Sequence, residues 1–403
     1  VLFRSVNEAG LLEVGPQSAG ADPGPICYGP GGELPTISDA NMVLGRLDVG
    51  KLKSVPGAVG IEDIRAIFQT RLGDPLGVDA ETAAAAVLRM ATTRMAGATR
   101  MVSVSLGLDP RDFSLFAFGG AGPLHASALA GELGVPEVLV PARPGITNAL
   151  GCIVADLRHD FVRTVNTPLD AMDIDRLGEM LSLQAAEGEA LIRQEPVRIE
   201  RIEVTHSLDM QFAGQTHLLQ VPLASASMTA ADIKATFEEV YFNRFRVRLP
   251  EIRAQIVNVN TSVTGRRPEV DLGGLIDNAG RAVSVAAAQT GSRPVWFDGA
   301  GADSGWQDTP VYAREKLPLD AQISGPAILE QMDTTILIEP QDSAVSDEDG
   351  NILVLGGLID DQLRAGEQRV PVLGRIPGIG VLFRSRSPRR SPPGSCPLPT
   401  AGA

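Results

Sequence analysis

Residues 113–140 read FSLFAFGGAGPLHASALAGELGVPEVLV. The apolar run at residues 113–118 predicts a strand, and the glycines after it break that strand. Pro123 suits the first turn of a following helix, and Gly134 ends that helix. Residues 137–140 predict a second strand. The order strand, glycine turn, helix, strand predicts an α/β unit with a parallel crossover.

The sequence on either side of this unit predicts further helices and strands. Helical spacing of apolar residues and an N-cap at Asp79 indicate helices, whereas alternation of apolar and polar residues indicates strands. The predicted helices are residues 60–72, 80–107, 124–134, 148–157, 171–193 and 229–244. The other predicted strands lie at residues 161–166, 199–223, 256–266, 294–297, 327–329 and 334–338. Short strands dominate from residue 268 onward, so a small β-rich C-terminal domain is predicted.

The second informative stretch is GPQSAGADPGPICYGPGGELPTISDANMVLGRL, residues 15–47, which we call the opening loop. Its seven glycines and five prolines surround Asp22, Cys27, Asp39 and Asn41. Glycine permits positive φ and close backbone approach, whereas proline fixes the backbone between glycines. Because the stretch has neither repeats nor an excess of charge, we interpret it as an ordered loop at a ligand site. A structural crossover between strands is the alternative.

A glycine turn of four residues, Gly119, Gly120, Ala121 and Gly122, joins the predicted strand to the predicted helix. Backbone N–H groups at such a turn, with the positive end of the helix behind them, can hold an anion or the polar parts of a nucleotide. The alternative is a tight turn without a ligand. His125 lies in the first turn of the helix and is expected to face what the glycines face, as an acid/base group or a donor. A histidine satisfied within the helix start is the alternative.

The opening loop contributes three further candidate site residues, Asp22, Asp39 and Asn41. Carboxylates near a nucleotide commonly hold Mg²⁺ through water or act as general bases. We assign Asp39 and Asn41 to cofactor binding and Asp22, together with His125, to catalysis. Their spacing matches no metal motif, and aspartate in such a loop is also a common turn former or helix cap. No metal ligand is therefore assigned.

Composition excludes several classes of function. The chain has 403 residues and a net charge of −14, which argues against nucleic acid or an anionic membrane as its partner. Its three cysteines are too few and too scattered for a disulfide framework or a cysteine-rich zinc site, which fits a reducing cytoplasm. No apolar run is long enough to predict a membrane span. A cytoplasmic enzyme or enzyme subunit is the class that remains.

Three stretches carry a family resemblance: the opening loop, residues 113–161, and GPAILEQMDTTILIEP at residues 325–340. In this order they resemble the hydantoinase A / 5-oxoprolinase family. The resemblance implies an α/β fold made of a partial actin/hexokinase/Hsp70-like ATPase lobe, an α+β segment and a small β-rich C-terminal domain. It also implies that ATP and Mg²⁺ are the cofactors and that the glycine turn approaches the adenosine side of ATP. The segment at residues 330–335 is expected to be structural.

Members of the resembled family phosphorylate a substrate oxygen so that ring opening or carboxylation can follow, which implies a cyclic amide or a ketone as substrate. Their phosphate loops, of the type DxGGTxTD and Asp-Gly-Gly, have no counterpart in this sequence. The chain is therefore expected to be the C-terminal half of such an enzyme, inactive alone, with a missing N-terminal half or a hydantoinase B-like subunit as its partner. A non-catalytic binding or assembly subunit of a hydantoinase- or acetone carboxylase-type complex is the alternative.

The two ends of the chain are anomalous. VLFRS occurs at residues 1–5 and again at residues 381–385, which indicates a joining scar. Residues 353–387 resemble the C-terminal part of outer-membrane secretins, although a secretion pore is a poor interpretation of the whole chain. The predicted division is a truncated or artefactual start at 1–9, an incomplete ATPase lobe at 10–165, an α+β segment at 166–267, a β-rich domain at 268–352, a secretin-like segment at 353–387 and a disordered tail at 388–403.

Overall fold

The computed structural model describes residues 2–6, 10–29, 31–51, 57, 59–225, 227–249, 251–270, 279–299, 304–356, 364–369 and 384–389. The chain divides into two compact units. Unit 1 comprises Val1–Ala149 with Asp271–Ala403, and unit 2 comprises Leu150–Val270. Helices and several sheets occur together, so the predicted mixed α/β class is confirmed. The domain boundaries and the actin-like assignment stay predictions.

The helices are α1 (Ile37–Val43), α2 (Ile61–Phe68), α3 (Asp74–Leu76), α4 (Ala80–Ser105), α5 (Gly122–Leu133), α6 (Thr147–Val154), α7 (Ile174–Gln194) and α8 (Ala230–Phe245). The strands are β1 (Leu2–Val6), β2 (Leu12–Ser18), β3 (Leu115–Phe116), β4 (Glu137–Val140), β5 (Leu157–Pro168), β6 (Arg201–Phe212), β7 (Leu219–Leu223), β8 (Ala254–Arg266), β9 (Gln289–Phe297), β10 (Gly305–Ala313), β11 (Gln322–Ser324), β12 (Ala327–Gln331), β13 (Thr334–Ile338), β14 (Ser343–Ser346), β15 (Ile352–Leu355), β16 (Arg364–Arg369) and β17 (Arg384–Arg389). None of these described helices is long and apolar enough to cross a membrane.

The predicted α/β unit is present in unit 1. Strands β3 and β4 are parallel neighbours in a five-stranded sheet of order β11-β14-β15-β4-β3, and α5 makes the crossover between them. Pro123 lies in the first turn of α5, and Gly134 ends the helix with a φ of 71°. The first strand is shorter than predicted, because only Leu115–Phe116 pair with β4. Its remaining residues lead into the glycine turn.

A second sheet of unit 1 has the order β13-β12-β10-β9. Its strands β12 and β13 form an antiparallel hairpin, and Met332 and Asp333 make the turn between them. Helix α5 packs against β13 with its buried residues Leu124 and Ala130, which lie in two hydrophobic clusters that the helix shares with this hairpin. The backbone N–H of Trp296 in β9 donates to the carbonyl of Leu44, which ties this sheet to the end of the opening loop.

Helices α1, α2 and α4 build a separate core in unit 1. Asp79 is the N-cap of α4, as predicted, and its side chain accepts a hydrogen bond from the Thr82 N–H. The buried face of α4 is mostly alanine, so α1 can pack closely on it. Ile26 and Cys27 of the opening loop are fully buried in this core. The opening loop is therefore part of the packed interior.

Unit 2 is a four-stranded antiparallel sheet of order β5-β8-β6-β7 with α7 and α8 packed on it. Alternate residues of β8 are buried, as the period of a half-buried strand requires. The predicted helix at 148–157 ends at Val154, and β5 starts at Leu157 and pairs with β8 along most of its length. His159 therefore lies within β5.

The secretin-like segment is described only in part. Strands β16 and β17 pair as an antiparallel hairpin, and the second of them contains the end of the repeated VLFRS sequence. The first copy of that sequence contributes to β1, which pairs with β2. Residues 353–355 belong to β15, whereas residues 357–363 and 370–383 of the segment, and the predicted disordered tail at 388–403 apart from the end of β17, lie outside the described residues.

Candidate functional site

The opening loop is held in place by the carboxylate of Asp39. This residue is the third residue of α1, and it forms a capping box with Thr36, whose hydroxyl donates to Oδ2 at 2.6 Å. The same carboxylate accepts from the backbone N–H groups of Thr36, Ile26 and Cys27 at 2.9, 3.3 and 2.8 Å. Both oxygens of Asp39 are thus occupied by protein donors in a fully buried position. Asp39 thus takes part in the cap at the start of α1, which is the alternative to cofactor binding named above.

The other candidates on the opening loop are separated from one another. Asn41 is buried in α1, where its Nδ2 donates to the Ile37 carbonyl and its Oδ1 has no hydrogen-bond partner among the described residues. Asp22 is exposed and lines a cavity of about 310 Å³ that also contains Glu33. Cys27 is fully buried, and burial, together with the nearby Asp39 carboxylate, raises the pKa of its thiol far above the usual range. That thiol is packed and not nucleophilic.

Three distant stretches of unit 1 line one cavity of about 650 Å³, which we call the glycine-turn cavity. Gly120 comes from the glycine turn, Tyr28 and Ser38 come from the opening loop, and the β12–β13 hairpin contributes the segment 330–335. These are the three stretches that carry the family resemblance. Sequence reasoning took residues 330–335 as structural, because a polar turn between two strands gives no local sign that it borders a cavity.

The glycine turn presents backbone to this cavity. Gly119 has a φ of 79°, which glycine alone adopts without strain, and its N–H donates to the Pro144 carbonyl at 2.8 Å. A Cβ on Gly120 would lie 3.3 Å from the Asp333 carbonyl oxygen, so a side chain there would crowd the hairpin. The N-terminus of α5 has no side-chain cap and no acidic residue in its first turn. The positive end of this helix is thus available to an anion.

The hairpin adds charged groups to the glycine-turn cavity. Burial raises the pKa of Glu330, but Lys51 and Arg293, which both contact its carboxylate, outweigh that effect, and the net pKa lies below the usual value. Oδ2 of Asp333 accepts from the Gly145 N–H at 3.0 Å, whereas its Oδ1 is buried without a hydrogen-bond partner among the described residues.

His125 does not line the glycine-turn cavity. It lines a second cavity of about 340 Å³, which we call the Arg46 cavity, with Arg46 and Glu339 among the other lining residues. Burial, and secondarily the charge of Arg46, lowers the pKa of His125 to about 4, so the imidazole is neutral at pH 7. Among the described residues no group of three or more His, Cys, Asp and Glu side chains could hold a metal ion.

Comparison with protein families gives three matches. The model described as Hydantoinase/oxoprolinase matches residues 2–161, and the Hydantoinase/oxoprolinase C-terminal domain matches residues 180–353. A third model, Bacterial type II and III secretion system protein, matches residues 321–392 and overlaps the end of the second match. The secretin resemblance of the C-terminal segment is thus confirmed at the level of a family match over a short region.

Two relatives and one solved structure are similar to most of the chain. Caprolactamase subunit alpha from Pseudomonas jessenii is 34% identical over 345 residues, which cover 83% of this chain and 48% of the relative. 5-Oxoprolinase PfmaA from Pestalotiopsis fici is 30% identical over 353 residues, 83% of this chain and 26% of the relative. The crystal structure of ATP-dependent caprolactamase from Pseudomonas jessenii superposes with a TM-score of 0.71 at 31% identity, over 89% of this chain and 52% of that chain. The chain thus spans between about a quarter and about half of the length of these proteins.

Proposed function

Because the chain belongs to the hydantoinase/oxoprolinase family, we propose that it forms the adenosine-binding part of an ATP-dependent enzyme that activates a cyclic amide by phosphorylation. The observation that carries the proposal is the convergence of Gly120, the opening loop and residues 330–335 on the glycine-turn cavity. Relatives named as an ATP-dependent caprolactamase and a 5-oxoprolinase support the same reaction class.

The residues of the glycine-turn cavity fit a nucleotide. Its volume of about 650 Å³ lies within the range of small-molecule and cofactor sites. Gly120 lines the cavity near the uncapped end of α5, and the absence of a Cβ on Gly120 keeps its backbone accessible. Asp333 lines the cavity on the facing hairpin.

The chain's own groups bind and orient the nucleotide in this proposal. ATP, when bound, supplies the phosphoryl group that makes a substrate oxygen a good leaving group. The glycine turn positions the nucleoside, and Thr334, whose hydroxyl donates to the Gly120 carbonyl at 3.1 Å, fixes the turn against the hairpin. In the lining of the cavity the Lys51 ammonium contacts the Glu330 carboxylate, so each of these two charges is paired.

We propose that Mg²⁺ binds together with ATP. Protein-bound Mg²⁺–nucleotide complexes commonly use substrate phosphates, water and only one or two carboxylates, so a site of three protein ligands is not required. Asp22 and His125 line other cavities than Gly120, and we therefore assign neither to nucleotide binding. Their catalytic roles, like the cofactor roles of Asp39 and Asn41, stay predictions.

We further propose that the isolated chain does not complete the reaction. The matched part of caprolactamase subunit alpha is 48% of its length, and the name of that protein states that it is one subunit of a larger assembly. A polypeptide equivalent to the remaining half, or a hydantoinase B-like subunit, is the partner that this proposal requires. A cytoplasmic location is the setting that fits an ATP-dependent enzyme of small metabolites.

Isothermal titration with Mg²⁺–ATP tests the proposal on the full 403-residue chain. We expect binding by the chain, loss of at least tenfold in affinity for Gly120→Val, and no change for Gly97→Val. Gly97 is an exposed helical glycine with room for a side chain, and it lines neither cavity. Absence of ATP binding, with and without the remaining part of caprolactamase subunit alpha, would refute the function. ATP-dependent ring opening of a cyclic amide by the chain alone would refute the proposed incompleteness.

A second candidate is a non-catalytic binding or assembly subunit of a hydantoinase- or acetone carboxylase-type complex. The caprolactamase relative is named as a subunit, and this name supports an assembly role as well as it supports a catalytic one. The two candidates differ in one respect, because an assembly subunit has no need of a nucleotide. If the chain binds its partner but the complex shows the same ATP affinity with Gly120→Val as with Gly120, the assembly function is the correct one.

A further inference from the structure

The end of α4 and the residues just after it carry the densest group of exposed apolar side chains in the described part of the chain. The group consists of Met101, Val102, Val104, Leu106 and Leu108, which are 44% to 73% exposed, and we call it the α4 end patch. No other stretch of eight residues that the structure describes has more than two large apolar side chains exposed to this extent. Single exposed apolar residues are normal, whereas a continuous patch indicates an interaction site.

The backbone under the α4 end patch is ordered by its own hydrogen bonds. The Gly107 N–H donates to the Val104 carbonyl at 2.9 Å. The Leu108 N–H donates to the Ser103 carbonyl, also at 2.9 Å, and Gly107 has a φ of 71°. These two bonds and the left-handed glycine form the Schellman motif that closes a helix. The exposed apolar side chains therefore lie on a regular helix end.

The chain itself leaves this end of α4 uncovered. The buried residues of the helix run from Ala80 to Ala96, and none of residues 97–105 is buried. Arg100 ties the helix to α5 through its contacts with the backbone carbonyl and the carboxylate of Glu132. The helix is thus anchored up to Arg100, and the apolar side chains that follow face solvent.

The arrangement of the patch selects the shape of the surface that covers it. Met101 and Val104 are three residues apart and share one face of α4, whereas Val102 and Leu106 are four apart and share another. At 3.6 residues per turn these four positions span about 200° of the helix circumference. A flat surface, or the same helix of a second copy, covers only one face. An apolar groove that receives the helix end covers both.

The charges of the chain argue against a membrane as the cover. Helices that lie on anionic membranes carry lysine and arginine on their polar face. The last turn of α4 contains no basic residue, residues 101–108 contain no charged residue at all, and the whole chain has a net charge of −14. A groove in another polypeptide is therefore the better match.

The solved relative indicates which polypeptide supplies the groove. The caprolactamase structure superposes over 89% of this chain but over only 52% of its own chain, so about half of that protein has no counterpart here. We propose that the α4 end patch is the docking surface for a polypeptide equivalent to that unmatched half, which receives the patch in an apolar groove. The inference rests on the proposed function only in taking this polypeptide as the one that completes the enzyme.

Co-expression of the full chain with the remaining part of caprolactamase subunit alpha tests the docking surface, with purification through a tag on the full chain. We expect the wild-type chain to retain that part as a complex. Met101→Lys/Val104→Lys places two charges in the patch and should reduce the retained amount at least about tenfold. Lysine near a helix C-terminus suits the helix dipole, so the circular dichroism spectrum and the urea midpoint should not change.

Val162→Lys/Leu183→Lys is the matched control. Both replaced residues lie in unit 2 and are 65% and 67% exposed, close to the exposure of Met101 and Val104. This variant should retain the same amount of partner as the wild-type chain. Absence of a complex with the wild-type chain, or equal losses in the two double variants, would overturn the proposal.

A fluorescent label reports whether the patch itself is covered. Bimane is attached to Val104→Cys in the Cys152→Ser/Cys396→Ser variant, and the same label on Leu183→Cys is the control. Emission from position 104 should shift to shorter wavelength in the complex, because an apolar groove excludes water from the label, and emission from position 183 should not shift. A complex without a shift at position 104 would overturn the proposal.

Two measurements on the full chain alone test the other possible covers. Sedimentation equilibrium reports a second copy, and flotation with vesicles of phosphatidylcholine and phosphatidylglycerol reports a membrane. We expect neither self-association nor vesicle binding that depends on the patch. A dimer or a vesicle-bound form that Met101→Lys/Val104→Lys abolishes would assign the patch to that cover and overturn the proposal.

ATP titration separates this inference from the proposed function, because no residue of the α4 end patch lines the glycine-turn cavity. Normal ATP affinity with lost complex formation in Met101→Lys/Val104→Lys supports both. Normal ATP affinity with an intact complex in that variant overturns the docking surface alone. A complex that depends on the patch but binds no ATP overturns the proposed function and leaves the docking surface intact.

Discussion

Oδ1 of Asp39 accepts a 2.8 Å hydrogen bond from the backbone N–H of Cys27, which lies 12 residues earlier in the chain. Through this contact the start of α1 holds the ADPGPIC part of the opening loop in the core of unit 1. A residue that the sequence indicates as a cofactor ligand is thus the structural anchor of the loop. The glycine-turn cavity depends on this anchor, because Tyr28 is the next residue after Cys27 and lines it.

Replacement of Asp39 by asparagine should destabilise unit 1. The amide has one acceptor oxygen where the carboxylate has two, and its NH₂ group would face the donors that now contact Oδ1 or Oδ2. We expect Asp39→Asn to lower the free energy of unfolding by about 2–4 kcal/mol in urea denaturation. Asp79→Asn is the matched control, because asparagine is as good an N-cap as aspartate. A loss of the same size in both variants would contradict the anchoring role of Asp39.

The thiol of Cys27 should be inert. Burial, together with the Asp39 carboxylate, raises its pKa, so the reactive thiolate is absent at neutral pH. Cys152 is exposed, and Cys396 lies outside the described residues. In a Cys152→Ser/Cys396→Ser variant, labelling with a chromogenic disulfide reagent should be at least a hundredfold slower in buffer than in denaturant. Fast labelling of folded protein would show that the opening loop is not packed as described.

His125 should make stability depend on pH in a defined window. Its folded pKa is about 4 and its ordinary value is 6.5. Below pH 6.5 the unfolded chain takes up a proton that folded His125 does not, so stability falls as the pH drops from 6.5 to 4. The loss over this window is on the order of 3 kcal/mol.

Urea denaturation of His125→Gln and of His217→Gln between pH 4 and pH 7.5 checks this prediction. The loss of stability attributed to His125 should disappear in His125→Gln. It should remain in His217→Gln, because the His217 side chain is exposed. Parallel pH profiles of the wild-type chain and His125→Gln would contradict the buried, neutral imidazole.

Arg314 should be essential to the five-stranded sheet of unit 1. Its buried guanidinium donates to the carbonyls of Val140, Pro141 and Gly350, which lie at the ends of β4 and β15. Arg314→Met removes the guanidinium donor from these buried carbonyls and should lower the free energy of unfolding by about 3–5 kcal/mol. Arg158→Met is the control, because Arg158 lies exposed in unit 2 and should change stability by less than about 1 kcal/mol. Equal effects in thermal denaturation would contradict this role.

Local signals explain which parts of the fold could be predicted. Pro123 and Gly134 mark the two ends of α5, and Asp79 marks the start of α4, because each acts on its own neighbours in sequence. The predicted ends of β3 and β5 were less accurate than those of these helices. Their ends are set by pairing with β4 and β8, and that pairing is a tertiary property which the strand's own sequence does not contain.

The candidate site was predictable to the extent that its parts lie in recognisable motifs. The glycine turn was identified as a ligand element, and it does line a cavity with the opening loop. The predicted orientation of His125 toward the glycines failed, because the packing of α5 on β13 turns that residue to the Arg46 cavity. Asp333 was missed as a site residue. It meets the glycine turn across more than 200 residues of sequence, as the neighbouring Thr334–Gly120 hydrogen bond shows.

Photolabelling of the full chain with 8-azido-ATP tests the central claim most directly. The azido group is on the base, so the label reports which residues surround the adenosine. After irradiation and digestion, mass spectrometry should locate the label on peptides that contain Tyr28, Gly120 or Met332, and excess ATP should prevent it. Labelling that ATP prevents but that maps only to other peptides, or no ATP-sensitive labelling at all, would contradict the proposal that the glycine-turn cavity binds the nucleotide.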